Sequence, residues 1–236
     1  WGLTEPGSGS DASGMLTTAV RDGDDWILNG SKNFITHGNV GNIGVMLAIT
    51  DRNKGNKGIS AFVVDKSMKG FYGSKKENKV GMRCSDTAGL IMDNVRVPGE
   101  NLIGNEGEGF IQALQILDGG RISIAALSLG LAEAALAHSV QYAKTRKQFG
   151  KSLAEMQAIQ FKIAEMSMKV EAARLLTFKA AWMKDNGMKI TLEAAQAKMF
   201  ASEASVAIAE EAIQIHGGYG YTKEYPVEKL WRDSKL

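Results

Sequence analysis

The segment Leu3-Thr4-Glu5-Pro6-Gly7-Ser8-Gly9-Ser10-Asp11 packs three glycine or proline positions and four small polar ones into nine residues. Gly7 and Gly9 open backbone conformations closed to other residues and let a ligand approach the main chain. The hydroxyls of Thr4, Ser8 and Ser10 can donate or accept hydrogen bonds. A phosphate or a heteroaromatic ring suits such a loop. Taken alone, the segment reads equally well as a surface turn with Asp11 as an Asx cap. Four other groups stand out further along the chain. They are Lys32-Asn33-Phe34-Ile35-Thr36, Leu117-Asp118-Gly119-Gly120-Arg121, Arg146-Lys147-Gln148-Phe149-Gly150 and Gln214-Ile215-His216-Gly217-Gly218-Tyr219-Gly220. Arg146 offers a planar fork to phosphate from a loop of small and basic residues. Gly217 and Gly218 end a helical stretch and expose amides, which a plain helix C-cap explains as well. Phe34 and Ile35 by themselves read as a buried strand pair.

The elements that must position these groups fall into two halves with different periods. From Trp1 to about Pro98, Gly, Asn and Asp cut the chain into short pieces that alternate or run apolar over strand lengths, which is β patterning. Asp22-Gly23-Asp24 divides Thr17 to Val20 from Trp26-Ile27-Leu28 and reads as a hairpin. Val45 to Ile49 and Ile59 to Val64 read as more deeply buried strands, and Leu90 to Met92 with Val95 to Val97 complete a small sheet or barrel. Pro98 and the glycines at 99, 104, 107 and 109 mark the boundary. Beyond Glu108, Ile159, Ile163, Met166, Val170 and Ala173 follow spacings of four, three, four and three, a helix face. Breaks at Gly119-Gly120, Gly150-Lys151-Ser152 and Asp185-Asn186-Gly187 predict helices ending near Arg146, Lys184 and His216, and their alanines favour close antiparallel packing. Met166, Met168, Phe178 and Trp182 sit at helical spacing and are expected in the core. The fold class is therefore α+β, with a β domain over 1–104 and a helical bundle over 105–236.

Composition narrows the function classes. With 28 basic and 26 acidic residues among 236, and a formal charge of +2, nothing suggests a nucleic-acid or membrane surface. Lys75-Lys76 and the cluster from Lys144 to Lys151 read as solvated faces that could also serve a phosphate-bearing ligand. The single cysteine, Cys84, excludes an internal disulfide. His37, His138 and His216 lie far apart, so no metal-ligand spacing exists and no Ser-His-Asp arrangement has a motif around it. No unbroken run of about 18 apolar residues appears, so no membrane span is expected.

Taken together and in order, the five groups resemble the acyl-CoA dehydrogenase family, nearest its short-chain, butyryl-CoA type, with Trp231-Arg232-Asp233 as a further match. The resemblance runs from Trp1 to Leu236 and implies the middle domain and most of the C-terminal domain of a longer enzyme. It implies FAD as cofactor, with Trp1, Leu3, Thr4, Gly9, Ser10, Phe34, Ile35 and Thr36 around the isoalloxazine, the Thr36 hydroxyl near N5. Phe34 stands where many members carry Trp, and so keeps an aromatic wall without an indole N–H. Arg146, Phe149, Gln157, Gln214, Ile215, Gly217 and Gly218 match positions that reach the FAD of a neighbouring subunit. Ser10, Asp118, Gly119, Gly120 and Arg121 match positions that bind the acyl-CoA thioester, and Asp118 and Arg121 are expected at a helix start.

The implied reaction is α,β-dehydrogenation of a short-chain acyl-CoA, with electrons passed to electron-transfer flavoprotein by a homo-oligomer, expected as a tetramer. Its compartment would be the cytoplasm in a bacterium or the mitochondrial matrix in a eukaryote. Dehydrogenation needs a base for the α-proton. Gly120 occupies the position from which some members supply it, whereas short-chain members take it from a Glu-Gly-Thr segment expected just after Leu236. Glu5, Glu133 and Glu224 are poor substitutes, so no catalytic residue is expected within the chain. The alternatives are a flavin acyl-CoA oxidase and a non-catalytic assembly protein on the same scaffold.

Overall fold

The computed structural model describes residues 1–236, and the change of period seen in the sequence becomes a change of architecture. The β region forms β1 (Thr18–Asp22), β2 (Asp25–Thr36), β3 (Ile43–Ile49), β4 (Ile59–Asp65), β5 (Phe71–Lys76) and β6 (Thr87–Val97). These make one mixed sheet in the order β4-β3-β1-β2-β6-β5, open at β4 and β5, so the sheet and not a closed barrel is realised. The β1–β2 hairpin turns where expected, with Asp22 opposite Asp25 and Gly23 at φ 65°. Among the six strands the parallel pairing is β1 with β3, at Thr18 and Ile49, and Gly2 adds an isolated parallel bridge to Met46 of β3. β5 is an addition to the expected strands, and it ends in Lys75-Lys76. Leu90 to Met92 and Val95 to Val97 belong to a single strand, β6. Trp26, Leu28, Met46, Phe62, Val64, Met92 and Val95 are buried in its core, with the Trp26 and Phe62 rings edge to face at 5.4 Å.

The helical part consists of α1 (Gly109–Thr145), α2 (Gln157–Asp185), α3 (Thr191–His216) and α4 (Val227–Ser234). α1 runs unbroken through Gly119-Gly120, which corrects the expected break there. α1 is also long and apolar enough, by length and composition, to cross a membrane. In this fold its Ala125, Leu129, Ala132 and Ala135 lie in the core of the bundle, against Met166, Val170 and Ala173 of α2 and Ala197, Ala201 and Ile208 of α3. So many alanines at the contacts let helix backbones approach closely, and they cost little side-chain entropy on burial. Met166 is core as expected, but Met168, Phe178 and Trp182 are not. With Phe161 and Leu175 they form a second apolar stripe on α2, each residue between 59% and 65% exposed.

Contacts divide the chain into two units, Trp1–Lys79 with Arg83–Ile116, and Val80–Met82 with Leu117–Leu236. Within the second, the Trp231-Arg232-Asp233 motif acts as a clasp. Asp233 Oδ1 accepts the Met82 amide at 2.6 Å, and Arg232 donates to the Val80 carbonyl at 2.9 Å.

Candidate functional site

In the first unit the site is built on an irregularity of β2. Opposite β6 the register passes from Lys32–Leu90 to Ile35–Ala88, so one extra residue is inserted in β2. This bulge breaks the period of two. Lys32 and Ile35 both turn inward and are buried, while Phe34 is 63% exposed with φ 55°, a conformation unfavourable for a bulky L residue. The expected buried pair of Phe34 and Ile35 is thus half right, and the aromatic face of Phe34 is free. Thr36, next on the strand, lines a cavity of about 180 Å³ with Trp1, His37, Lys66 and Phe71. Trp1 also lines a groove of about 660 Å³ with Val45, Leu47, Ala61, Ile103 and Ile116.

The Trp1–Asp11 segment lies between β3 and the bulged end of β2. The Gly2 amide donates to Val45 O at 2.7 Å, the Gly2 carbonyl accepts from the Leu47 amide at 3.1 Å, and Thr4 O accepts from the Asn33 amide at 2.8 Å. Glu5 and Ser8 exchange backbone hydrogen bonds across Pro6-Gly7, closing a tight turn that leaves Gly7, Gly9 and Ser10 exposed. A Cβ at Gly7 or Gly9 would meet nothing within 4 Å, so no internal contact demands glycine at either place. Asp11 precedes a 3-10 turn over Ala12–Gly14 and makes no side-chain cap to the backbone; its Oδ1 accepts the Ser13 hydroxyl at 2.6 Å. Leu3 is partly buried, and its carbonyl lies 3.4 Å from Lys32 Nζ. Glu5, unlike its neighbours, is buried. Burial alone would push its carboxyl up, but hydrogen bonds from Lys32, Thr17 and Leu16 outweigh that and hold it below the usual range. It is ionised and committed.

In the second unit a groove of about 520 Å³ is lined by Tyr142, Arg146, Gln148, Leu153, Gln214, Gly217, Gly218 and Tyr219, with Ile215 beneath. Arg146 follows the last turn of α1. It makes no ion pair, and its guanidinium stands 5.4 Å over the Tyr219 ring. α3 ends as expected at His216, where Gly217 takes φ 60° and ψ −138°. Nothing lies within 4 Å of a Cβ built on Gly217 or Gly218. His216 is the residue that fixes this turn. Its ring is buried, stacked 4.2 Å from Tyr142, and its Nδ1 is 2.7 Å from Ala212 O, and burial lowers its pKa. Phe149 is 93% exposed at φ 54°, and Gln157 and Gln214 are exposed, whereas the Ile215 side chain is buried in the core and offers only backbone. Tyr142 and Leu153 were not singled out from the sequence, and Gln148 and Tyr219 stand there only as members of their motifs. The signal for Tyr142 was its place four residues before Arg146, one helical turn away on the same face.

Asp118 and Arg121 do not sit at a helix start. They lie inside α1 and form an i,i+3 ion pair, with Thr191 Oγ1 donating to Asp118 Oδ2 at 3.0 Å. Their amides are taken up by the helix, so only their side chains are available to a ligand. A Cβ at Gly119 would come 3.0 Å from Lys184 Nζ, while one at Gly120 would meet open space. Of the other carboxylates, Glu133 is paired with Arg174 and Glu224 is exposed between α3 and α4.

Residues 1–95 match the family description "Acyl-CoA dehydrogenase, middle domain", and residues 107–236 match "Acyl-CoA dehydrogenase, C-terminal domain". The chain belongs to the acyl-CoA dehydrogenase family. Among the relatives of this acyl-CoA dehydrogenase chain is the short-chain specific acyl-CoA dehydrogenase of Clostridium acetobutylicum, 48% identical over 100% of this chain and 62% of that protein. Another is the caffeyl-CoA reductase-Etf complex subunit CarC of Acetobacterium woodii, 50% identical over 99% of this chain and 62% of its own length. The structure of butyryl-CoA dehydrogenase from Megasphaera elsdenii superposes with a TM-score of 0.98 at 51% identity, over 99% of this chain and 61% of that one. The chain thus spans about 62% of the length of the curated relatives it matches.

Proposed function

We propose that the complete protein carries out FAD-dependent α,β-dehydrogenation of a short-chain acyl-CoA thioester to the trans-2-enoyl-CoA and passes the electrons to an electron-transfer flavoprotein. Identity of about one half to proteins named short-chain specific and butyryl-CoA dehydrogenases supports the substrate class. The Acetobacterium relative, named as a subunit of an Etf complex, supports the acceptor. The observation that carries the reading is the β2 bulge, which holds the bulky Phe34 outward at φ 55° beside Thr36. A strained, solvent-facing aromatic of this kind gains nothing for the core and suits a planar ligand.

The residues present fit FAD. Trp1, Leu3, Thr4, Phe34, Ile35 and Thr36 would hold its ring, with Gly9 and Ser10 leaving room at the edge. Arg146, Phe149, Gln157, Gln214, Gly217, Gly218 and the Ile215 backbone would hold the phosphates and adenosine of an FAD bound mainly by a second copy of the chain. When bound, FAD supplies the two-electron acceptor for the reaction. Thr36 contributes a hydroxyl where charge develops, and the apolar walls at Trp1 and Phe34 exclude water. Within the second unit Asp118 and Arg121 would anchor the acyl-CoA beside the open space at Gly120, and in the first unit the exposed Ser10 is matched to the same ligand by the family resemblance. No residue of this chain is assigned the α-proton, because Glu5 is held by Lys32 and Glu133 by Arg174. The exposed stripe Phe161, Met168, Leu175, Phe178 and Trp182 supports a homo-oligomer, since a contiguous apolar face is a recurring mark of an interface.

The test uses the full-length protein with butyryl-CoA and an electron-transfer flavoprotein. Bleaching of bound flavin by the thioester and reoxidation by the acceptor are expected. Release of hydrogen peroxide in place of acceptor reduction would make it an oxidase, and a colourless protein that takes up no FAD would make it a non-catalytic relative.

A further inference from the structure

Lys32 and Glu5 form an ion pair inside the first unit, Nζ to Oε1 2.7 Å, with side-chain exposures of 0% and 5%. The rest of the carboxylate is occupied too: the Leu16 amide donates to Oε2 at 2.6 Å and the Thr17 amide to Oε1 at 3.1 Å. Taking both charges out of water is costly, and an apolar pair of similar volume is commonly as stable or more so. Stability therefore does not account for the pair. Its location does. Lys32 is the last inward-facing residue before the bulge that exposes Phe34, and Glu5 follows Thr4 directly. Apart from the Asn33 amide to Thr4 carbonyl bond, the contacts of Lys32 with Glu5 and Leu3 O are what tie the first segment to this end of β2. Hydrogen bonds to charged groups are both directional and stronger than neutral ones, so they fix a spacing that apolar contact would leave loose.

We propose that Glu5 and Lys32 are positioning residues: they hold Leu3-Thr4 in register with Phe34-Ile35-Thr36, so that the two strips of the ring-binding surface keep one fixed separation. The proposal rests on the FAD reading above. Neither side chain needs to touch the ligand, and the buried pair would act only through the backbone of the two strips.

The complete protein carrying Glu5→Gln with Lys32→Met removes both charges at nearly constant volume. Its thermal midpoint should stay near that of the unchanged protein, while the FAD Kd rises about tenfold and the visible absorption band of the bound flavin shifts. In the FAD-free protein the Asn33 amide should exchange with solvent faster, with the β1–β2 hairpin amides unchanged. Lys32→Arg keeps the charge but lengthens the link, and it should fold and still displace the flavin band, which covers the case of a double variant that does not fold. A double variant or Lys32→Arg protein with an unaltered flavin band, FAD Kd and Asn33 exchange would overturn the positioning role alone. An unchanged protein that binds no FAD would overturn it together with the cofactor reading.

Discussion

The bulged end of β2 and the glycine turn after α3 both place backbone at positive φ beside a groove, yet they use it in opposite ways. At Phe34, φ 55° is imposed on a large aromatic residue, and the result is a side chain aimed outward between the buried Lys32 and Ile35. At Gly217, φ 60° with ψ −138° falls on a residue without a side chain, and the result is exposed backbone and empty space beside the unpaired Arg146. The first device presents a wall; the second presents donors. A ring needs contact on its face, whereas phosphate needs room and N–H groups, so the contrast follows from the two ends of the ligand proposed above.

The strongest way to break this contrast is at the donor end. Arg146→Ala removes a cation held near the groove by Tyr219, and FAD affinity of the complete protein should fall about tenfold to a hundredfold, as read by flavin fluorescence on titration. An unchanged Kd would mean that this groove does not serve the phosphates. Next in size is the exchange of backbone demands. Gly217→Ala meets no neighbour, so its cost is conformational alone, about 1–3 kcal/mol, seen as a lower thermal midpoint. For Phe34→Gly, relief of strain and the entropy cost of glycine nearly cancel, so stability should change by less than about 1 kcal/mol while the flavin spectrum changes clearly. If Phe34→Gly proved as destabilising as Gly217→Ala, the aromatic would be a packing residue and the comparison would collapse. The smallest effect is expected at Gly120, which lies in regular helix with open space around its Cα. Gly120→Ala should raise stability by about 0.5–1 kcal/mol in thermal unfolding, at some loss of acyl-CoA affinity.

How much of this was legible beforehand depended on the range of the interactions responsible. The β1–β2 hairpin could be read from Asp22-Gly23-Asp24 because turn chemistry is local, and the helix ends near Lys184 and His216 because Asn186-Gly187 and Gly217-Gly218 stand where the apolar period stops, a local C-terminal signal. α1 could not be read through Gly119-Gly120. Helix propensity there is poor, and it is overridden by packing of the helix on either side, at Ala113 and at Ala125. The spacing of Ile159, Ile163, Met166, Val170 and Ala173 marks the face of α2 that the bundle covers, but nothing local reports that the second stripe through Met168, Phe178 and Trp182 stays exposed. β5 is short, lies at the sheet edge and ends in two lysines, and nothing local distinguishes it from a loop.

The candidate site divides along the same line. Residue types and order alone determined the family resemblance, the two periods, and the groups at Thr4, Phe34, Thr36, Arg146 and Gly217, because these depend on chemistry carried by single residues or short runs. Tertiary structure alone decided that Phe34 faces out while Ile35 faces in, because a bulge exists only against a partner strand, here β6. It also decided that Glu5, chemically a candidate base, is a buried structural anion. Its partner Lys32 lies 27 positions away, and no local pattern reports that the fold has taken both charges out of water.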